Sequence, residues 1–532
     1  MQTKPCEYGH PNVQVVRRGG LSKPRPATRL FGGPSLAVGF FAPTVENLYR
    51  AVVERYYLEK VDGQYREIRG PRSPALFQGR LRTFRRRIQS SLSPVIPWAP
   101  RQFAEAYRGD RRFGRYLAAA ESLEARALDA SDCNVDAFVK KQKECFATPF
   151  GRDDGWKVDV VPRAIYPRGP RYTVEVGRYL KPLEKPIYRA VDQAAGYTCV
   201  AKGLNFWERA KVLRDHWRHF NDPVCIKMDA HRYESHHGEQ ALRFEHAVYY
   251  SAVSKSHSLP LRKALQAQYR FRGTGRCEDG KIRFQVIGGK RASGDWNTAL
   301  GNTLVSSSMI WSYARALRIP IRFLSDGDDV VVICERRHAR RLMDGVRDWY
   351  AAMGFVMDVA GPVDQFERIV FCNTSPVEIT AGEWCMTRTA ISAFAKDFVC
   401  LAPVKDENEL RAWCAAVAAG GTALAGAVPI FGALYDAYRR FGAGASPLRH
   451  PLLEDGFAHH AALMGERAMC YTEPTAVCRA SFWAAYGITP VEQVAIEQDL
   501  KCMAGPAGKW VDVGDRICSA YLHGCKLWPG LC

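Results

Sequence analysis

The chain contains no Cys-x-x-Cys pair, although 17 of its 532 residues are Cys. That absence removes the usual spacing of zinc ribbons and dithiol redox motifs, leaving open only a zinc site assembled from distant Cys and His. No His-Glu-x-x-His stretch is present, which removes a common zinc-hydrolase signature. No signal peptide is recognised ahead of Cys6, so free thiols in a reducing compartment are expected. No internal repeat, low-complexity block or long Pro- or Ser-rich linker divides the chain, so its subdomains are expected to pack into one body. A convincing membrane span is also lacking. Ala412 to Tyr435 carries no charge and is long enough to cross a bilayer, but it is rich in Ala and Gly and broken by Pro429. It reads as two buried helices joined near Gly420-Gly421.

What is present points to a folded, polyanion-binding protein. Hydrophobic residues make up 47% of the chain, enough for a large core. Lys and Arg outnumber Asp and Glu by 75 to 55, a net charge of +20 that suits a nucleic-acid partner. The first ~95 residues read as loop-rich and basic. Arg66, Arg69, Arg72, Arg80, Arg82 and Arg85-Arg86-Arg87 are interleaved there with Tyr65, Phe77 and Phe84. Such a mixture fits either a single-stranded nucleic-acid path or a solvated cationic face. Residues from about 100 to 150 read as helical, with Tyr116 to Arg126 the clearest case. Strands and helices alternate to about residue 380, and the last ~150 residues read as largely helical.

The chemistry concentrates in four segments. Ile321 to Ile333 has an apolar run, the tip Ser325-Asp-Gly-Asp-Asp329, and a β-branched run. This predicts a β-hairpin with two adjacent carboxylates at its tip, and carboxylate oxygens are what Mg²⁺ prefers. Val224 to Asp229 predicts a strand ending in a third carboxylate, with Glu234 five residues on. A surface acid pair is the bland alternative. Arg291 to Leu304 predicts a flexible Ser293-Gly294 loop followed by a helix on which Thr298 and Asn302 share a face. Ser293, Thr298 and Asn302 are candidates for recognising a ribose 2′-hydroxyl, against ordinary helix capping. Upstream, Lys140, Lys141 and Lys143 precede the Pro-punctuated, β-like stretch Val161 to Arg171, which carries Arg163, Arg168 and Arg171. Guanidinium forks suit triphosphate oxygens, and a charged surface hairpin is the alternative.

The order of these segments, basic stretch, Asp229 strand, Ser-Gly helix and Asp-Asp hairpin, resembles motifs F, A, B and C of viral RNA-dependent RNA polymerases. Ser293-Gly-Asp-Trp-Asn-Thr298-Ala-Leu-Gly-Asn302 fits that family's S-G-x-x-x-T-x-x-x-N pattern, and Gly327-Asp-Asp329 is its G-D-D. Within the family the chain is most similar to the tombusvirus-like group of positive-strand RNA viruses. Asp229-Ala-His-Arg-Tyr-Glu-Ser-His236 resembles that group's D-A-S-R-F-D-Q-H. Pro162-Arg-Ala-Ile-Tyr-Pro-Arg168 and Val174-Glu-Val-Gly-Arg-Tyr-Leu180 resemble two further segments. Phe371-Cys372 with Pro376-Val377 resembles motif E, and Gly426 to Ile430 a thumb segment. By eye the likeness covers about residues 135 to 435.

The resemblance implies an α+β, right-hand polymerase with an antiparallel palm sheet, fingers and a helical thumb. The implied divisions are an N-terminal extension and fingers over 1–220 (motif F 138–171), palm over 221–248, fingers over 249–290, palm over 291–380, and thumb with the C-terminal region over 381–532. Asp229, Asp328 and Asp329 would be the catalytic and metal-binding residues for two Mg²⁺ ions, with Mn²⁺ as a substitute. Glu234, Ser293, Thr298 and Asn302 would meet the ribose. Lys143, Arg163, Arg168 and Arg171 would meet the triphosphate. Partners would be an RNA template, the nascent strand, ribonucleoside triphosphates and a membrane-anchored viral replication protein. The expected location is the host cytoplasm, at membrane-associated replication sites. Two departures stand out. Glu234 replaces the usual Asp, and no Lys occurs between Asp329 and Lys396 to serve as the motif D proton donor, leaving His338 or an Arg. Rival readings are a non-catalytic viral RNA-binding protein, or a metallohydrolase built on His231, His236, His237 and His246.

Overall fold

The apolar runs around Asp229 and the Asp-Asp pair form one four-stranded sheet. Its order is Arg322–Asp326, Asp329–Glu335, Pro223–Ala230 and Met357–Val363, antiparallel throughout. These runs are continuously apolar because both faces of the sheet are buried. Val224, Ile226 and Met228 pack with Val330, Val332 and Cys334 into one core. Cys225, Val331 and Ile333 turn to the other face and join a second core. The structure, a computed structural model, describes residues 6, 8–18, 28–29, 38–61, 63–145, 160–402, 404–450, 453 and 458–502.

Helices cover the first face: Pro74–Ser90, Pro170–Ala195, Glu239–Ser251, Thr298–Leu317 and Arg336–Ala352 all contribute to its core. The second face is closed by the hairpin Thr374–Thr380/Glu383–Arg388 and by C-terminal helices including Glu407–Ala425, Phe431–Phe441 and Ala476–Tyr486. A separate five-stranded sheet pairs Val13–Arg17, Gly280–Ile287, Arg270–Cys277, Val135–Val139 and Ala164–Ile165 in that order. Only the Arg270–Cys277/Val135–Val139 pair in it is parallel. The helix Val45–Val52 packs on that sheet with a third core. The fold is thus α+β. Among the described residues no helix is long and apolar enough to cross a membrane.

Three sequence expectations are corrected. The described part of the first ~95 residues is not mainly loop: Pro74–Ser90 is a helix of 17 residues. Ser73 caps it by accepting from the Leu76 amide at 3.1 Å, and Pro74 opens the first turn. Phe77, Leu81, Phe84 and Ile88 form its buried stripe, so the two phenylalanines are core and not base-stacking platforms. Arg82, Arg86 and Arg87 face solvent, as a cationic face would. Parts of the N-terminal stretch and of the basic segment (146–159), and residues 503–532, lie outside the described residues. Less than half of the described stretch 100–145 is helical, with helices Pro100–Glu105 and Phe113–Ala125 giving way to the strand Val135–Val139. Finally, Glu407–Ala425 runs straight through Gly420-Gly421. A Cβ at Gly421 would fall within 2.5 Å of the Tyr435 ring, so the glycine serves close helix approach. The break comes later, at Gly426 to Ile430, where Ile430 has φ +65° and gives its amide to Glu497 Oε1 at 2.9 Å.

Candidate active site

The strand register brings the carboxylates together. Asp326 pairs with Asp329, leaving Gly327 and Asp328 as the two-residue tip. Asp329 sits opposite Asp229, which has Asp358 as its partner on the other side. The alternation of strand side chains puts Lys227 on the same face as Asp229. The tip is held from two directions. Gly327 N donates to Thr303 Oγ1 at 3.1 Å, from the Thr298–Leu317 helix. Ser325 exchanges backbone bonds with Cys199 and Ala201, at 2.9 Å each.

The carboxylates are electrostatically crowded. Burial, with repulsion from Asp229 and Asp328 and against the pull of Lys227, pushes Asp329 up to about 6. Burial also raises Asp328, helped by Glu234 and Asp229. It raises Asp229 too, against Lys227. Asp326 differs. Burial would lift it, but ion pairs to Lys202 and to Arg209 Nη2 (2.7 Å) hold it below the ordinary carboxylate range. The hairpin therefore carries one neutralised acid at its base and two under-compensated acids at its tip. An oxygen-only donor set short of positive charge fits a hard divalent cation. Among the described residues no three His, Cys, Asp or Glu side chains are gathered tightly enough to cage an ion by themselves. Water or phosphate oxygens would complete a shell, as Mg²⁺ favours.

The helix that follows the Ser293 loop lies against the tip, where a Cβ at Gly327 would come 3.9 Å from Asn302 Cβ. Tyr166 N donates to Ser293 O at 2.8 Å, and a Cβ at Gly294 would meet the Tyr166-Pro167 backbone at 2.9 Å. Thr298 Oγ1 bonds Asp295 O at 2.8 Å and Ala292 O at 3.2 Å, so its hydroxyl braces the loop. Asn302 is 7% exposed, and its Oδ1 has no hydrogen-bond partner. A buried amide oxygen left unpaired costs about 1–3 kcal/mol, which a ligand hydroxyl would recover. Simple helix capping does not account for this loop, because Asn297 ahead of the helix gives its side chain to Glu245 and Gln268.

The four basic candidates separate. Arg163 is exposed, and its positive charge acts on Asp229, Asp328 and Glu234. Arg168 is not available to a phosphate. It is buried, donates to Asp295 Oδ1 at 2.6 Å, to Cys133 O and to Ala267 O, and lies over Tyr172 and Phe271. Arg171 opens the helix Pro170–Ala195 instead of lying on a hairpin. It bonds Asp132 at 3.0 Å, Ser122 and the Arg126 carbonyl. Lys143 gives its ammonium to Lys396 O at 2.6 Å, and burial lowers it to about 8. His338 is also remote, three residues past the far end of the strand Asp329–Glu335. Six strand steps put that end about 20 Å from Asp329.

Several contributors escaped the motif reading. Thr303 and Lys227 are ordinary residues in their motifs; helix packing brings the first to the tip, and strand register places the second beside Asp229. Glu234 lies in a short helix, Tyr233–His236, and Arg55 from far upstream bonds its Oε1 at 2.6 Å. Burial would raise Glu234, yet Arg55, with help from a backbone amide and Arg163, keeps the carboxyl below the usual range. No local signal marks that pairing across 179 positions. The histidines disperse. His231 pairs with Asp358 at 3.4 Å, His236 with Gly354 O at 3.1 Å, His237 with Arg291 at 2.8 Å and His246 with Gln268 at 3.0 Å.

Comparison with known proteins finds relatives along most of the chain. A family described as viral RNA dependent RNA polymerase matches residues 14–504, well beyond the 135–435 legible by eye. The RNA-directed RNA polymerase of Tobacco necrosis virus (strain D) is 32% identical over 504 residues, covering 93% of this chain and 67% of that protein. That of Cucumber necrosis virus is 35% identical over 457 residues, covering 86% and 53%. That of Oat chlorotic stunt virus is 33% identical over 511 residues, covering 92% and 66%. The chain thus spans about half to two thirds of the length of these relatives.

Proposed function

Because this chain belongs to the viral RNA-dependent RNA polymerase family, we propose that it copies an RNA template by adding ribonucleotides to a growing strand. The observation that carries this reading is the register Asp229 opposite Asp329, with Asp328 at the tip braced by the Thr298 helix. In this reading the four-stranded sheet is the palm, the five-stranded sheet belongs to the fingers, and the C-terminal helices form the thumb. The divisions are those at 220, 248, 290 and 380. Asp229 and Asp328 would hold two Mg²⁺ ions, or Mn²⁺, with Asp329 assisting. Bound there, the metal supplies Lewis-acid activation of the attacking hydroxyl and charge neutralisation at the leaving pyrophosphate.

The chain's own residues then do the positioning. Glu234, Ser293 and Asn302 receive the ribose, and Asn302 Oδ1 gains a donor it otherwise lacks. Thr298 keeps the Ser293 loop in place. Arg163 meets the triphosphate, while Arg168 and Arg171 brace the fold around it. The 3′-oxygen forms its bond to the α-phosphorus, the bond to pyrophosphate breaks, and the 3′-proton leaves to solvent or a carboxylate. The reaction's RNA and nucleotide partners follow from the family. A membrane-anchored viral partner, and a site on host cytoplasmic membranes, belong to the same proposal.

The test is primer extension or de novo synthesis on an RNA template with four ribonucleotides and Mg²⁺ or Mn²⁺. Wild type should give template-length product. Asp328→Ala should abolish it while RNA binding is retained. Equal synthesis by Asp328→Ala would sink the assignment, and RNA binding without synthesis by the wild type would favour a non-catalytic RNA-binding protein.

A further inference from the structure

One N-terminal turn reaches into three parts of the site. The helix Val45–Val52 continues as a π-helical turn, Val53–Tyr57. Such turns re-aim successive side chains and are frequent at functional sites. Here Arg55 Nη1 donates to Glu234 Oε1 at 2.6 Å, Nε to Pro162 O at 2.9 Å and Nη2 to Val161 O at 3.2 Å. Ser235 Oγ returns a bond to Arg55 O at 2.7 Å, and Arg232 Nη1 donates to Glu54 O at 2.8 Å. Tyr56 donates its hydroxyl to Arg291 O at 3.1 Å, at the base of the Ser293 loop.

The pair is well enclosed, with side chains 11% and 13% exposed. Arg55 engages only Oε1, and besides Glu234's own backbone amide no other described side chain bonds this carboxylate. A Glu in this place has one more rotatable bond than the Asp usual in the family. Three fixed donors on one planar guanidinium remove that freedom, which a Lys could not do.

We propose that Arg55 is a positioning residue for ribose selection: it anchors Glu234 through Oε1 so that Oε2 is left to accept the 2′-hydroxyl of the incoming nucleotide. The inference rests on the polymerase reading. It also explains how a Glu works where an Asp is usual, since the longer arm is tied back by a residue outside the motifs.

The experiment uses the full chain on a primed RNA template, comparing addition of a ribonucleotide with addition of its 2′-deoxy analogue. Arg55→Ala should lower the ribo-to-deoxy ratio of kcat/KM by roughly 10-fold, the worth of one well-placed hydrogen bond. The loss should fall mainly on KM for the ribonucleotide. Arg55→Lys should lie between, and it carries the test if Arg55→Ala does not fold. In a Glu234→Ala background, Arg55→Lys should change the ratio no further. An unchanged ratio with both substrates slowed equally would make Arg55 a mere brace, and an additive loss in the Glu234→Ala background would also overturn the proposal. Wild-type protein that adds no nucleotide of either kind removes the polymerase reading and this one with it, a result distinct from either.

Discussion

Gly301→Ala should be among the most damaging single-methyl changes in the chain. Gly301 lies on the Thr298–Leu317 helix, directly over the ion pair between Arg291 Nη2 and Glu245 Oε2, which are 2.7 Å apart. A Cβ there would fall within 2.5 Å of Arg291 Nη2 and closer still to Glu245 Oε2. The helix cannot easily retreat, because Thr303, two residues on, holds the hairpin tip at Gly327. The pair cannot swing into water either, since its side chains are only 1% and 0% exposed. Something must part, and separating a buried pair costs about 3–5 kcal/mol. Glu245 also accepts from Asn297 Nδ2 at 2.9 Å, so the loss spreads into the Ser293 loop. A chain of this size is not expected to unfold in two states, so hydrogen exchange over residues 291–302 is the fitting assay. A cost of about 3 kcal/mol corresponds to amide exchange roughly 100-fold faster in that segment. Exchange within about threefold of wild type would refute the reasoning, by showing that the pair and helix accommodate a methyl group.

Other outcomes follow from the same geometry. Arg163→Ala should raise KM for nucleotides about 10-fold with little loss of stability. Arg168→Ala should instead destabilise by about 3–5 kcal/mol, because it strands Asp295 in the interior; equal KM effects in the two variants would contradict the separation. Acid should weaken the fold. Burial lowers His216 to about 3, His236 to about 4 and His246 to about 3. All lie below the unfolded value of about 6.5, so their contribution is complete above pH 6.5 and is lost as pH falls toward 4 and then 3. At pH 5.5 each costs on the order of 1 kcal/mol, a few kcal/mol together. Asp329, raised to about 6, acts with the opposite sign and offsets part of this. Thermal melting at pH 5.5 and 7.5 checks the sum, and a higher midpoint at pH 5.5 would contradict it.

The sequence by itself determined the parts whose chemistry is local. A β-branched run broken at Asp-Gly can hardly be other than a hairpin, and it is one, with Asp328 in its tip. The helix after Ser293-Gly294, the strand ending at Asp229 and the excess of positive charge were equally legible. The four histidines near Asp229 suggested a cluster, but each is spent on a different partner. What only the tertiary structure decided is which charges are already satisfied. Motif position makes Arg163, Arg168 and Arg171 alike, but burial against Asp295 and capture by Asp132 commit the last two to the scaffold. Likewise Asp326, Asp328 and Asp329 are neighbours in sequence, yet Lys202 and Arg209 neutralise only the first. Arg55 and Glu234 meet only in the folded chain. The reason is physical: a residue's type and local pattern set what it can bond, whereas burial and long-range partners set what it has left to offer a substrate.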